Sequence, residues 1–335
     1  MNISENNELS PGFFINTILN GLWQLSGGHG NIEPEKALKS MRDYHKAGLL
    51  TWDLADHYGF AEDLVGMFHR EYNGDLKNLT DRPKFFTKWV PTPKNMTQRI
   101  VEKAIDRSLE RMRMKSLDML QFHWWDYNNE NYLTALELLD ELRKKGKIKH
   151  LSLTNFDTEH LKIINEYGIP IISNQIQFSV LDQRPLVKMV PYCQKNGIKI
   201  LAYGTLGGGL FSSRFYKKTE PHYNELNTSS LQKYYGMIRR WGSWDKFQGL
   251  LKVLQDISEK YGVSIANVAV RYVLEQPAVA GTIIGARLSL SNHIDESLKV
   301  FSFSLDQNDH QKIQSVYDIG YDLFEKIGDC GAEYR

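Results

Sequence analysis

Eight short β-rich runs, each followed by a longer stretch at helical period, constrain the fold more than any other feature of this chain. The runs fall at residues 18–24, 49–53, 84–89, 117–123, 148–155, 171–175, 198–203 and 280–285. Helical patterns follow near 34–47, 60–70, 96–112, 131–145, 157–167, 184–196, 247–261 and 291–300. Regular strand–helix alternation predicts a parallel sheet, and eight units predict one that closes: an α/β chain forming a single (β/α)8 barrel over its 335 residues. Several boundaries carry their own mechanism. Arg143, Lys144 and Lys145 put cations into a last helical turn before Gly146, and Ser264 is placed to cap a helix over 265–274 that Pro277 stops. Two stretches break the rhythm. Residues 207–246 predict a long insertion after the seventh strand, acting as a lid or binding loop. Residues 305–335 predict a helix and then a polar tail at the barrel mouth or along its side.

Charge narrows the partners. Lys plus Arg number 41 against 40 Asp plus Glu, a formal net charge of +1, so no positive field draws nucleic acid or an anionic membrane, and a small molecule is the expected ligand. Cys193 and Cys330 stand far apart without metal or disulfide spacing, which suits a reducing, cytoplasmic setting. The polar first ten residues predict no secretory signal, and no run of about 18 apolar residues predicts a membrane span. Without secretion, the Asn-x-Thr patterns at Asn78 and Asn95 carry no weight.

Common signatures are missing. No Gly-x-Gly-x-x-Gly follows a strand run, no phosphate loop ends in Gly-Lys-Ser/Thr, and no His-Glu-x-x-His helix or Gly-x-Ser-x-Gly elbow occurs; the ten histidines show no metal pairing. The chemistry lies at the strand ends instead. The second run ends at Asp53 with Tyr58 just beyond, the third contains Lys88, and the fourth ends at His123. Neighbouring barrel strands place their ends side by side, so these four side chains converge at the mouth. Together they make a proton donor. A free phenol ionises near pH ~10, and an ammonium beside it favours the phenolate by roughly 4 kcal/mol if it brings the pKa to neutrality. Asp53 would keep Lys88 charged, and His123 would orient a carbonyl oxygen. Singly, each residue has a structural reading as a cap, core group or solvated charge; convergence of four at adjoining strand ends favours the chemical one.

The chain resembles the aldo-keto reductase superfamily. The resemblance rests on Asp53-Leu-Ala-Asp-His-Tyr58-Gly-Phe-Ala-Glu62, Phe86-Thr-Lys88, Asp118-Met-Leu-Gln-Phe-His123-Trp and Lys147-Ile-Lys-His-Leu-Ser-Leu-Thr154-Asn155-Phe156. It continues in Asn174-Gln175-Ile-Gln-Phe, Ala202-Tyr203-Gly-Thr-Leu206-Gly and Ile283-Ile-Gly-Ala-Arg287, and runs from about residue 20 to 303. It implies a nicotinamide cofactor bound without a Rossmann domain, with Asp53, Tyr58, Lys88 and His123 as catalytic tetrad. It further implies that Thr154, Asn155 and Gln175 hold the carboxamide and that Tyr203 stacks on the ring. Gly204, Thr205, Leu206 and Gly207 would meet the pyrophosphate, and Arg287 the 2′-phosphate, favouring NADPH over NADH. His293 and Ser297 stand where Arg or Gln and then Asn are usual near the adenine, Thr154 replaces a usual Ser, and Ser152 a usual Gly. Trp23, Trp89 and Trp124, at or just past strand ends, are expected to line a pocket for an apolar carbonyl. The expected activity is reversible reduction of an aldehyde or ketone. Two other readings of such a chain are a nucleotide-sensing regulatory subunit with little turnover and a sugar-phosphate-binding barrel; the latter leaves the four strand-end groups without a joint purpose.

Overall fold

The computed structural model describes residues 5–27, 32–72 and 82–334; the Asn78 pattern lies outside them. A hairpin of β1 (Asn6–Ser10) and β2 (Phe13–Asn16) comes first, and eight parallel strands then close a barrel. These are β3 (Ile18–Gly21), β4 (Thr51–Asp53), β5 (Lys84–Trp89), β6 (Leu117–His123), β7 (Ile148–Thr154), β8 (Ile171–Gln177), β9 (Lys199–Tyr203) and β10 (Val279–Gly285). β10 pairs with both β3 and β9, which closes the ring. Every strand run read from the sequence is present, so the (β/α)8 architecture holds.

The helices that follow the strands are α1 (Pro34–Lys46), α2 (Ala61–Tyr72), α3 (Gln98–Met112), α4 (Asn131–Lys144), α5 (Thr158–Glu166) and α6 (Met189–Asn196). Their ends follow local chemistry: Asp157 caps α5 through the His160 amide, and Gly197 ends α6 in the left-handed region. The 207–246 stretch is not one long loop. It contains α7 (Ser229–Trp241), capped by Thr228, and α8 (Trp244–Tyr261) starts inside it, capped by Ser243. α9 (Ile265–Leu274) has the expected Ser264 cap, and Asn267 completes a capping box. α10 (Ile294–Leu298), α11 (Gln307–Tyr317) and α12 (Leu323–Ile327) complete the chain.

Two apolar cores result from strand alternation. Phe85, Leu120 and Phe122 face the helices, whereas Phe86, Met119, Leu201 and Ala280 fill the barrel with Leu9 and Ile15 of the hairpin. The hairpin thereby plugs one end; Asn7 donates to the Ala280 carbonyl at 3.0 Å. The sequence reading missed this plug. Its strands are four and five residues long and half polar, too short to show a period. With one end filled, the strands' carboxyl ends are left as the open mouth.

Candidate active site

Alternation also decides which side chains reach the mouth. Two residues on from inward Phe86 comes Lys88, and after Met119 come Gln121 and His123. The register sets Lys88 opposite Gln121, Gln121 opposite Ser152, His123 opposite Thr154, and Thr154 opposite Gln175. A layer of polar groups thus sits above an apolar barrel interior. Tyr58 joins it from the loop after β4, where Gly59 takes φ +54; a Cβ there would stand 2.4 Å from the Leu25 carbonyl oxygen, so this turn requires glycine.

All four tetrad residues line one cavity of about 930 Å³. Lys88 donates to Asp53 Oδ1 at 2.6 Å and to the Leu54 carbonyl at 3.1 Å, with both side chains almost wholly buried. The other carboxylate oxygen, Asp53 Oδ2, accepts from Gln121 and from Gln175, each at 2.7 Å. The ammonium lies 5.5 Å from the centre of the Tyr58 ring. One expectation is reversed: the Tyr58 phenol is pushed well above its ordinary 10.0, first by burial and then by the Asp53 charge. Lys88 is itself lowered by burial, with Asp53 opposing. Burial and the neighbouring Asp53 charge both favour the neutral phenol. Tyr58 is therefore held as a protonated acid.

The residues expected around a dinucleotide spread along the same cavity. Thr154, Asn155, Gln175, Tyr203, Gly204, Thr205 and Leu206 line it, as do Arg287, His293 and Ser297. Tyr203 donates to Asn155 Oδ1 at 2.8 Å, which fixes Asn155 in a left-handed conformation at φ +57. The Thr154 and Thr205 hydroxyls are buried without a protein partner, as polar groups awaiting a polar ligand would be. Arg287 is exposed and forms no ion pair among the described residues, leaving its guanidinium available to an anion. Burial and Arg287 together lower the His293 pKa. These features fit a phosphorylated dinucleotide. Gly207 departs from expectation: it is buried beneath Phe211, and Gly208 and Gly209 line the cavity in its place.

Of the three tryptophans, Trp23 lines the cavity, but Trp89 and Trp124 do not. Both stand one residue past an inward position, at Lys88 and His123, so alternation turns them outward; Trp89 packs on Phe122, and Trp124 donates to the Asp126 and Asn129 carbonyls. Trp125, back in phase with His123 and 4.1 Å from its ring, lines the cavity instead. Counting by twos along the fourth run would have found both Trp125 and Gln121.

No local signal marks the remaining wall. Arg184, fully buried, donates to Asp182 at 2.7 and 2.8 Å, to Glu333 at 2.9 Å and to the Gly328 and Asp329 carbonyls. Burial opposes its charge, but Asp182 and Glu333 more than offset that and keep the guanidinium pKa above its usual value. The clasp draws the C-terminal tail over the mouth. The Tyr203 hydroxyl also stands 3.2 Å from Glu333 Oε1, and Tyr334 meets both Tyr203 and the Lys233 ammonium of α7. Lys233 sits over the rings of Tyr203, Tyr234 and Tyr334 at 4.8, 5.1 and 4.4 Å. Of the two expectations for the tail, the crossing of the mouth is the one realised. Arg214, also unforeseen, lines the cavity too. Among the described residues no cluster of groups suits a metal, and no helix is long and apolar enough to cross a membrane.

Known proteins agree with this geometry. The aldo-keto reductase YhdN of Bacillus subtilis is 25% identical over 307 residues, covering 89% of this chain and 88% of the relative. The NADH-specific methylglyoxal reductase of Escherichia coli is 22% identical, covering 86% and 90%. A solved aldo/keto reductase from Klebsiella pneumoniae, in complex with NADP and acetate, superposes with a TM-score of 0.68 at 19% identity, covering 91% and 92%, and shares the fold. The model of the Aldo/keto reductase family matches residues 17–318, and with the barrel and its strand-end site in place the chain belongs to that family.

Proposed function

We propose that this protein reduces an aldehyde or ketone to the alcohol with NADPH, reversibly, with Tyr58 as the proton donor. The observation that carries the reading is the buried Lys88–Asp53 pair at 2.6 Å beside a phenol whose pKa is raised by burial, in one cavity of about 930 Å³. A bound nicotinamide supplies the hydride. The chain's own part is to hold the carbonyl and provide the proton. His123, lining the same cavity, would hydrogen-bond the carbonyl oxygen, and Tyr58 would give its hydroxyl proton to that oxygen as the carbonyl carbon gains the hydride. Lys88 then faces the resulting phenolate and stabilises it, a general-acid contribution of about 10²- to 10⁴-fold. Asn155 and Gln175 would hold the ring carboxamide, Tyr203 would offer the ring an aromatic face, and Thr205 would meet the pyrophosphate.

NADPH is favoured over NADH because Arg287, exposed and without a carboxylate, lines the cavity, and Arg214 adds a second cation along its wall. The NADP carried by the Klebsiella protein supports this choice, and the NADH-specific relative is the reason to measure it. Two free, buried cysteines suit the cytoplasm as the place of work. The test is a fluorescence titration with each nucleotide followed by a carbonyl panel with the preferred one. Tyr58→Phe binds nucleotide within about threefold of wild type and loses at least about 10²-fold in kcat; a variant keeping wild-type turnover removes Tyr58 as the acid.

A further inference from the structure

We propose that Gln121 is a positioning residue: it holds the Asp53 carboxylate, and through Lys88 it sets the ammonium against the Tyr58 phenol. The inference rests on the reductase reading for its kinetic arm only. Asp53 lies almost wholly buried in the polar layer of the barrel, at the floor of the cavity, and burying a carboxylate there requires its lone pairs to be filled. Lys88 fills one side at 2.6 Å, and the paired amides of Gln121 and Gln175 fill the other at 2.7 Å each. Gln175 donates as well to Gln121 Oε1 at 2.7 Å, so the three side chains form one closed network. Both amide hydrogens of Gln175 are thus directed inward, and its Oε1 takes no protein donor while the residue lines the cavity. A group docking on that oxygen bears on the same amide that steadies Asp53.

The consequence for Lys88 is geometric. Two of its three N–H bonds go to Asp53 and the Leu54 carbonyl, and the ammonium so held stands 5.5 Å from the centre of the Tyr58 ring. The ammonium's direction depends on where Asp53 sits, and Asp53 sits where Gln121 and Gln175 pull it. Gln121 itself does not line the cavity and is wholly buried, so it acts through Asp53 and not on a ligand.

Gln121→Leu keeps the shape and removes the donor. Its kcat with NADPH and the best substrate of the panel falls about tenfold, the loss of one hydrogen bond to a charged group, while NADPH affinity by nucleotide fluorescence stays within threefold. Gln121→Glu separates positioning from mere packing: its new carboxyl group donates to Asp53 only while protonated, so kcat recovers toward wild type as the pH falls and declines as it rises, a limb that wild type and Gln121→Leu lack. In ¹⁵N-lysine-labelled protein the Lys88 ammonium signal is sharp in wild type and broadened in Gln121→Leu. Should Gln121→Leu not fold, the pH limb of Gln121→Glu within one folded protein decides. If wild type turns over no carbonyl, the reductase reading falls, and the clamp is judged on the ammonium signal alone. Kinetics within twofold of wild type in Gln121→Leu, no new limb in Gln121→Glu, or an unchanged Lys88 signal each overturn the proposal.

Discussion

The two sides of the mouth are built differently. On one side Asp53, Lys88, Gln121, His123 and Gln175 project from β4, β5, β6 and β8, and the ladder register through β7 fixes their spacing. On the other side Arg184 follows β8, Lys233 lies on α7, and Glu333 and Tyr334 lie in the C-terminal tail; one buried guanidinium gathers two carboxylates there, and Lys233 sits over the Tyr334 ring. Groups that must hold a tetrad in place are set on the rigid side. The wall that shapes access is anchored by one buried ion cluster, with the Tyr203, Tyr334 and Lys233 contacts beside it.

Arg184→Met gives the largest expected effect. It leaves Asp182 and Glu333 buried without a cation, and breaking such a cluster costs about 3–5 kcal/mol. Urea unfolding would show the loss, and adding Glu333→Gln would restore part of it by removing one orphaned charge. The strand side should not register the change: NADPH binding of the folded fraction stays intact while carboxypeptidase trims the tail. A loss under about 1 kcal/mol would mean that the tail is seated by something other than Arg184.

Legibility follows the same division. The eight strands, their order and the meeting of Asp53, Tyr58, Lys88 and His123 at one cavity could be read from the sequence because they follow from short-range strand patterns and from barrel closure. Trp89 and Trp124 were misplaced because proximity to a strand end was weighed above the two-residue alternation that turns them outward. Lys233 and Tyr334 could not be read at all, since they are 101 residues apart and no local pattern reports that they meet. The same holds for Arg184 and Glu333, 149 residues apart. The insertion was taken for a loop because its Gly207-Gly208-Gly209 opening hides the periodic stretch that makes α7.

A smaller effect tests the two sides by pH. Tyr58 on the strand side, and Tyr203 and Tyr234 toward the tail, are each raised well above 10.0, with burial the first cause in all three. They stay protonated in the folded chain where the unfolded chain ionises, so the folded state binds more protons above pH 10. The stability they contribute is complete below that value and is lost as the pH climbs toward their raised pKa values. Each adds a slope of at most about 1.4 kcal/mol per pH unit. Urea midpoints from pH 9 to 11.5 should fall more gently in Tyr58→Phe, and more gently still in the Tyr203→Phe, Tyr234→Phe pair. Equal slopes in all three proteins would show that these phenols do not set the alkaline limit.

The smallest expected effect concerns the tryptophans. Trp125 is 37% exposed, with its ring 4.1 Å from His123 and 5.5 Å from Tyr334, so it spans the seam between the two sides. Trp125→Leu removes an aromatic wall from the cavity but little buried surface. Substrate KM should therefore rise a few-fold, equivalent to roughly 1 kcal/mol of binding, with the urea midpoint unchanged. Trp124, wholly buried among Phe122 and its neighbours, should give the opposite pattern: Trp124→Leu lowers stability and leaves the KM of the folded enzyme alone. If Trp124→Leu moved KM and Trp125→Leu did not, strand alternation would be the wrong rule for deciding which aromatic groups face the substrate, and the same alternation places Lys88, Gln121 and His123.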